Sequence, residues 1–204
     1  MQKSTLEVGT FEVNCTILSW EDKAWIADPG MEAARIAAML QKRNLTPEAI
    51  LLTHAHFDHI GAVPELQARW PGLPVYIHPE DEKVLTHPLN NFAPDYPPIA
   101  KPQNIKDARS LAGRHGLAVI ETPGHTPGGV CYHFPEERLL LSGDTLFAGS
   151  IGRTDLPGGD YATLKASLVK LTALPDDTEV IPGHGRFTTI GIEKDSNPFL
   201  MMGA

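Results

Sequence analysis

Apolar and polar residues along the 204-residue chain fall into patterns that mark its elements. Residues 5–28 read as strand material turned back at Glu21-Asp22-Lys23, with Ala24-Trp25-Ile26-Ala27 as the returning strand. Asp28-Pro29-Gly30 ends that strand. Ala33, Ile36, Ala37 and Leu40 then follow helical spacing, which predicts a helix running to Asn44. Ile60, Val63 and Leu66 share a second helical face after His59, with Pro64 accommodated in its first turns. Asp160 is placed to cap a third helix, whose buried side carries Leu164, Leu168 and Leu171. Four short apolar runs predict buried strands: Ile50-Leu51-Leu52, Leu117-Ala118-Val119-Ile120, Leu139-Leu140-Leu141 and Val180-Ile181. Strands mixed with helices, and paired β-runs in each half, predict an α/β protein with sheets covered by helices. Residues 87–102 hold five prolines and read as a surface loop or lid.

Each of the four buried runs leads to metal-binding residue types. Leu52 is followed by Thr53-His54-Ala55-His56-Phe57-Asp58-His59, and Ile120 by Glu121-Thr122-Pro123-Gly124-His125. Leu141 leads to Ser142-Gly143-Asp144, and Ile181 to Pro182-Gly183-His184. Strands that end on one edge of a sheet can deliver these side chains to a single point. Gly124, Gly143 and Gly183 let the backbone bend in closely just before three of them. The donors number five imidazoles and two carboxylates. That exceeds one tetrahedral ion and suits two, with one carboxylate shared and open positions for water. Imidazole and carboxylate without thiolate suit Zn²⁺, Fe²⁺ or Mn²⁺. A single histidine is more often a core or surface residue than a ligand. Four candidate ligands within the six residues 54–59 have no packing rationale.

Composition narrows the setting. A single domain, 1–204, is expected from the length. The formal charge of −8 argues against nucleic acid and against anionic lipid as partners. No apolar run approaches the ~20 residues of a membrane span, and the start of the chain shows no apolar signal region. Cys15 and Cys131 cannot form a disulfide framework, so a reducing cytoplasm is the expected location.

The segment His54-Ala55-His56-Phe57-Asp58-His59, with His125, Asp144 and His184, resembles the metal motifs of the metallo-β-lactamase superfamily. The resemblance runs from Leu6 to Phe199 and implies an αββα sandwich with metals at the edge of the two sheets. By position it implies that His54, His56 and His125 hold a first metal. Asp58, His59 and His184 would hold a second, and Asp144 would bridge them. It implies two divalent ions, zinc first, with iron or manganese as alternatives, and a hydroxide between them as nucleophile.

Within the superfamily, class B β-lactamases closest to the type pattern do not use a bridging aspartate, so antibiotic hydrolysis is not expected. The segment from Gly143 to Asp155 and Pro182-Gly183-His184-Gly185 resemble the glyoxalase II group. Thr189-Ile190-Gly191-Ile192-Glu193 and Asn197-Pro198-Phe199 are similar to its short bacterial members, often called YcbL-type. The implied activity is thioester hydrolysis on a small-molecule substrate, with glutathione as a candidate thiol. Arg153 falls where two-domain glyoxalase II enzymes carry a lysine that contacts glutathione; its other reading is a loop anchor paired with Asp155. A counterpart of the C-terminal helical domain that completes glutathione binding in those enzymes is not expected within these residues, so the resemblance speaks more for thioester hydrolysis than for glutathione as the thiol.

Persulfide dioxygenases are the rival, since they share the histidine motif and a segment resembling Gly152-Arg153-Thr154-Asp155. They hold one iron, with two histidines and an aspartate. Leu156-Pro157-Gly158 and the glycine after His184 depart from their pattern. Other ester or lactone hydrolases on the same site, and a metal-binding protein without catalysis, also stay open. Asp28 reads either as a turn former or as a support for a metal-binding histidine. His78, His87, His115 and His133 lie outside the motif and read as surface or hydrogen-bonded residues.

Overall fold

The computed structural model describes residues 1–83, 85 and 99–201. Most of the segment expected as a loop or lid, residues 87–98, lies outside them. The first sheet contains β1 (Gln2–Val8), β2 (Val13–Trp20), β3 (Lys23–Ala27), β4 (Thr46–Leu51), β5 (Val75–Ile77) and β6 (Ile105–Asp107), paired in chain order. Its first three strands form an antiparallel meander, and β3 to β6 run parallel. Parallel neighbours need crossovers. Helix α1 (Ala33–Lys42) supplies the first, and α2 (Phe57–Ile60) with α3 (Val63–Arg69) supplies the second.

After α4 (Pro79–Glu82), the second half repeats the scheme. Strands β7 (Ala118–Glu121), β8 (Val130–Phe134) and β9 (Leu139–Gly143) form a meander. A small hairpin of β10 (Leu146–Phe147) and β11 (Ser150–Ile151) and then helix α5 (Tyr161–Thr172) lead to β12 (Glu179–Pro182), parallel to β9. Strand β13 (Thr188–Thr189) closes this sheet, followed by α6 (Ile190–Ser196) and α7 (Pro198–Met201).

Alternation along the strands builds three layers of core, because successive side chains point to opposite faces. Ile50 and Leu52 pack with Ile36, Leu40, Ile60 and Leu66 under the helices of the first sheet. Their neighbours Ala49 and Leu51 face inward, meeting Tyr132, Leu139, Leu141 and Ile181 of the second sheet. Leu140, Cys131 and Val180 face outward again, onto Leu164, Leu168 and Leu171 of α5. The result is helix, sheet, sheet, helix, as the resemblance implies.

Two local expectations change. The strand material of residues 5–28 contains a further turn, closed by the Glu12 N–H donating to the Gly9 carbonyl at 3.2 Å. The helix expected after His59 comes as two pieces, and α2 begins early enough to carry Asp58 and His59 itself. Pro64 lies in the first turn of α3, where its missing N–H costs no helical bond. Asp160 caps α5 as expected, accepting from the Thr163 N–H at 2.7 Å. No helix among the described residues is long and apolar enough to cross a membrane.

Candidate metal centre

Chain direction brings the seven donors together. Strands β3 and β4 run parallel and end side by side, so Asp28 and the loop after Leu51 emerge on one edge. In the second sheet β9 and β12 are parallel, and β7 shares their direction through two antiparallel steps. His125, Asp144 and His184 therefore leave the matching edge. An isolated bridge between Val13 and His184 ties the two edges, with the Asn14 N–H donating to the Gly183 carbonyl at 2.8 Å.

All seven predicted donors meet there. His54, His56 and His125 converge as one set and Asp58, His59 and His184 as another, with the ligand atoms of each set within 4.8 Å of one another. The Nε2 of His125 lies 2.9 Å from His56 Nδ1, and His59 Nε2 lies 3.3 Å from His184 Nε2. Asp144 stands between the sets: its oxygens are 3.4 Å from His59 Nε2, 3.5 Å from His125 Nε2 and 3.6 Å from His184 Nε2.

The far side of three of the five rings explains which nitrogen faces inward. Asp28, buried, accepts from the Thr53 N–H at 2.8 Å and from the Thr53 hydroxyl at 2.7 Å. That hydroxyl has spent its proton, so 3.0 Å away it can only accept from His54 Nδ1–H. His59 Nδ1 faces the same Asp28 carboxylate at 3.1 Å. His125 Nδ1 donates to the Arg153 carbonyl at 2.7 Å, and His184 Nδ1 to the Phe11 carbonyl at 2.6 Å. Three rings, those of His54, His125 and His184, are thus held by a hydrogen bond in the tautomer that turns Nε2 to the centre.

The electrostatics suit cations. Burial pushes His54 well below the ordinary histidine value and His56 down to about 3. Burial opposes charge on His59 too, yet Asp144, Asp28 and Asp58 outweigh it and hold that ring well above its usual value. For Asp144 burial acts upward, but His59 holds its carboxyl well below the carboxylate range. His54 Nε2 and Asp144 Oδ1 are buried without a hydrogen-bond partner. Buried lone pairs of this kind call for a donor or a metal ion. Two divalent ions fit the donor set in number and type.

Arg153 is exposed, and its guanidinium is committed to Asp155 through two hydrogen bonds of 2.7 Å. Its carbonyl, not its side chain, reaches the cluster. Among the histidines outside the motif, His78 lies 3.2 Å from Glu121, His115 stacks on Trp20 at 4.1 Å and His133 is buried in β8. His87 lies outside the described residues. Both cysteines are buried, and burial pushes the Cys131 thiol to about 11, which makes it inert. Thr53, Asn14 and Asp81 were not singled out by sequence reasoning. Asn14 is buried and donates through Nδ2 to the Pro182 and Gly185 carbonyls at 3.0 and 2.9 Å, fixing the His184 loop.

This site on this sandwich defines a class. Residues 8–184 match the metallo-beta-lactamase superfamily, and the chain belongs to it. It is 42% identical over 207 residues to the probable metallo-hydrolase YqgX of Bacillus subtilis, covering 98% of each chain. To the hydroxyacylglutathione hydrolase GloC of Haemophilus influenzae it is 37% identical over 210 residues, again with 98% of each covered. Among solved structures, BLEG-1, a B3 metallo-beta-lactamase, is similar with a TM-score of 0.89 and 41% identity, over 98% of this chain and 99% of that one. TTHA1623 in a di-iron-bound form gives 0.85 and 39%, over 97% and 100%.

Proposed function

We propose that this metallo-hydrolase is a thioester hydrolase of the hydroxyacylglutathione type, acting on a small-molecule thioester. The observation that carries the reading is Asp144, a carboxylate within 3.6 Å of histidines from both ligand sets. A shared aspartate is what the glyoxalase II resemblance implies and what the β-lactamase type pattern lacks. The relation to the Haemophilus hydroxyacylglutathione hydrolase, over nearly all of both chains, supports it.

Two divalent ions, held by His54, His56 and His125 and by Asp58, His59 and His184 with Asp144 shared, would lower the pKa of a water to about 7 and polarise a carbonyl oxygen. The chain's own work is positional. Asp28 fixes His54 through Thr53, and its carboxylate lies 3.1 Å from His59 Nδ1 as a charge partner. The Phe11 and Arg153 carbonyls fix His184 and His125 from outside the cluster. Phe11 and Phe57 meet edge to face at 5.3 Å beside the His184 loop, an apolar border for a bound acyl or thiol group. Cys15 and Cys131 are sequestered in the core, so neither can serve as a covalent nucleophile.

The test is thiol release from S-D-lactoylglutathione by purified protein whose metal content is counted on the same sample. Release that a chelator abolishes supports the proposal. Absence of release from protein carrying two ions overturns it, and cleavage of nitrocefin by that sample would place the substrate among β-lactams instead. Oxygen uptake with glutathione persulfide by a one-iron sample would point to dioxygenation.

A further inference from the structure

The three-histidine set draws on loops from different sheets. His54 and His56 follow β4 of the first, and His125 follows β7 of the second. One buried side chain touches both loops. Asp81, on α4 and fully buried, accepts from the Ala55 N–H at 2.9 Å through one carboxylate oxygen and from the Gly128 N–H at 2.5 Å through the other. Ala55 stands between the two histidines of the first loop, and Gly128 lies just beyond His125. The approach at Gly128 is close: a Cβ there would lie 2.5 Å from the Asp81 backbone nitrogen and 2.7 Å from its Oδ1. A buried carboxylate costs free energy unless its oxygens are satisfied, and both oxygens here are spent on the ligand loops. Burial pushes the Asp81 carboxyl above its usual value in spite of those donors.

We infer that Asp81 is a positioning residue: its carboxylate sets the spacing between His54 and His56 on one side and His125 on the other, and thereby the affinity of that set for its ion. The inference rests on the metal reading of the three histidines and is independent of the substrate. Asparagine at this position keeps one carbonyl acceptor but turns an NH₂ toward the second backbone donor, so one loop loses its anchor.

The experiment titrates metal-free protein with Zn²⁺ and Co²⁺ against a chelator, recording the cobalt visible spectrum and the circular dichroism of each variant. Asp81→Asn should weaken one of the two ions by about 10-fold or more, as supports of metal ligands generally do, and shift the cobalt bands while the fold signal stays. Gly128→Ala strikes the same junction from the other loop, should act alike, and decides the question if Asp81→Asn fails to fold. Leu168→Ala removes volume from the core under α5 and should lower stability without changing either affinity or spectrum. Wild-type affinity and spectrum in the foldable junction variants would overturn the inference, as would equal loss in Leu168→Ala. A wild-type protein that binds no ion at the three histidines would overturn the metal reading beneath it.

Discussion

Replacing Gly183 by alanine is the sharpest perturbation this site allows, because it changes no ligand. Gly183 directly follows β12, and its backbone is held on both sides: its N–H donates to the Gly143 carbonyl at 2.8 Å, and its carbonyl accepts from the Asn14 N–H at 2.8 Å. The residue cannot retreat. A Cβ there would lie 2.1 Å from Asp144 Oδ1 and 2.7 Å from His59 Cε1. To restore ordinary contact the carboxylate must move by about 1 Å, a misplacement that can cost about 100-fold in rate. Forcing a methyl into a packed site costs about 1–3 kcal/mol of stability. For a domain of this size that lowers Tm by a few degrees to about 10 °C. Gly185→Ala is the control within the same loop: its φ is +73° and nothing lies within 4 Å of the added Cβ. It should cost about 1–2 kcal/mol in backbone strain yet keep its ions. The assay counts metal per chain, follows thiol release and records a melt for wild type and both variants. Gly183→Ala protein that holds two ions and works within threefold of wild type would refute the geometry argued for Asp144.

Three further outcomes follow from the contacts. Asp28→Asn removes the charge that accepts from Thr53 and faces His59; it should weaken metal binding by about 10–100-fold in a chelator competition and cost about 1.5–3 kcal/mol in melts. Arg153→Ala should leave metal content and kcat unchanged and KM within about twofold, because the exposed guanidinium serves Asp155, and a stability change within about 0.5 kcal/mol is expected. A tenfold rise in KM would instead assign the side chain to substrate. Burial lowers the pKa of His133 below its unfolded value of 6.5. The folded state therefore binds fewer protons than the unfolded one, and this contribution is present above pH 6.5 and is lost as pH falls toward the folded value. His133→Leu should flatten the fall in Tm of metal-free protein between pH 7.5 and 5.5, and an unchanged slope would count against it.

Much of this site was legible because its information is local. Spacing alone marks His54 to His59 as a ligand cluster, and helical periodicity gives α1 and α5 close to their observed bounds. The groups that orient the ligands carry no such signal. Any residue at positions 11 and 153 could offer the carbonyls that hold His184 and His125, so the identity of Phe11 or Arg153 reveals nothing of that role. Thr53 looks like a residue at the end of a strand, and only its position between Asp28 and His54 gives it a task. Asp81 sits between Glu80 and Glu82, and nothing in that acidic run marks it as the buried carboxylate. Its burial depends on contacts to Ala55 and Gly128, both distant in sequence. The turn at Gly9 escaped for the opposite reason: it is so short that the apolar pattern runs through it.

The two sheets are like the leaves of a locket, and neither leaf can hold an ion alone. The first set needs His125 from the second leaf, and the other needs His184. Ions bound by the two sets would act as rivets through the seam, each contributing stability that grows with its free concentration relative to its dissociation constant, about 4 kcal/mol at a thousandfold excess. A parting of the leaves would pull both ligand sets apart at once, because each spans the seam. The metal content of a preparation is thus a gauge of how well its two halves are closed.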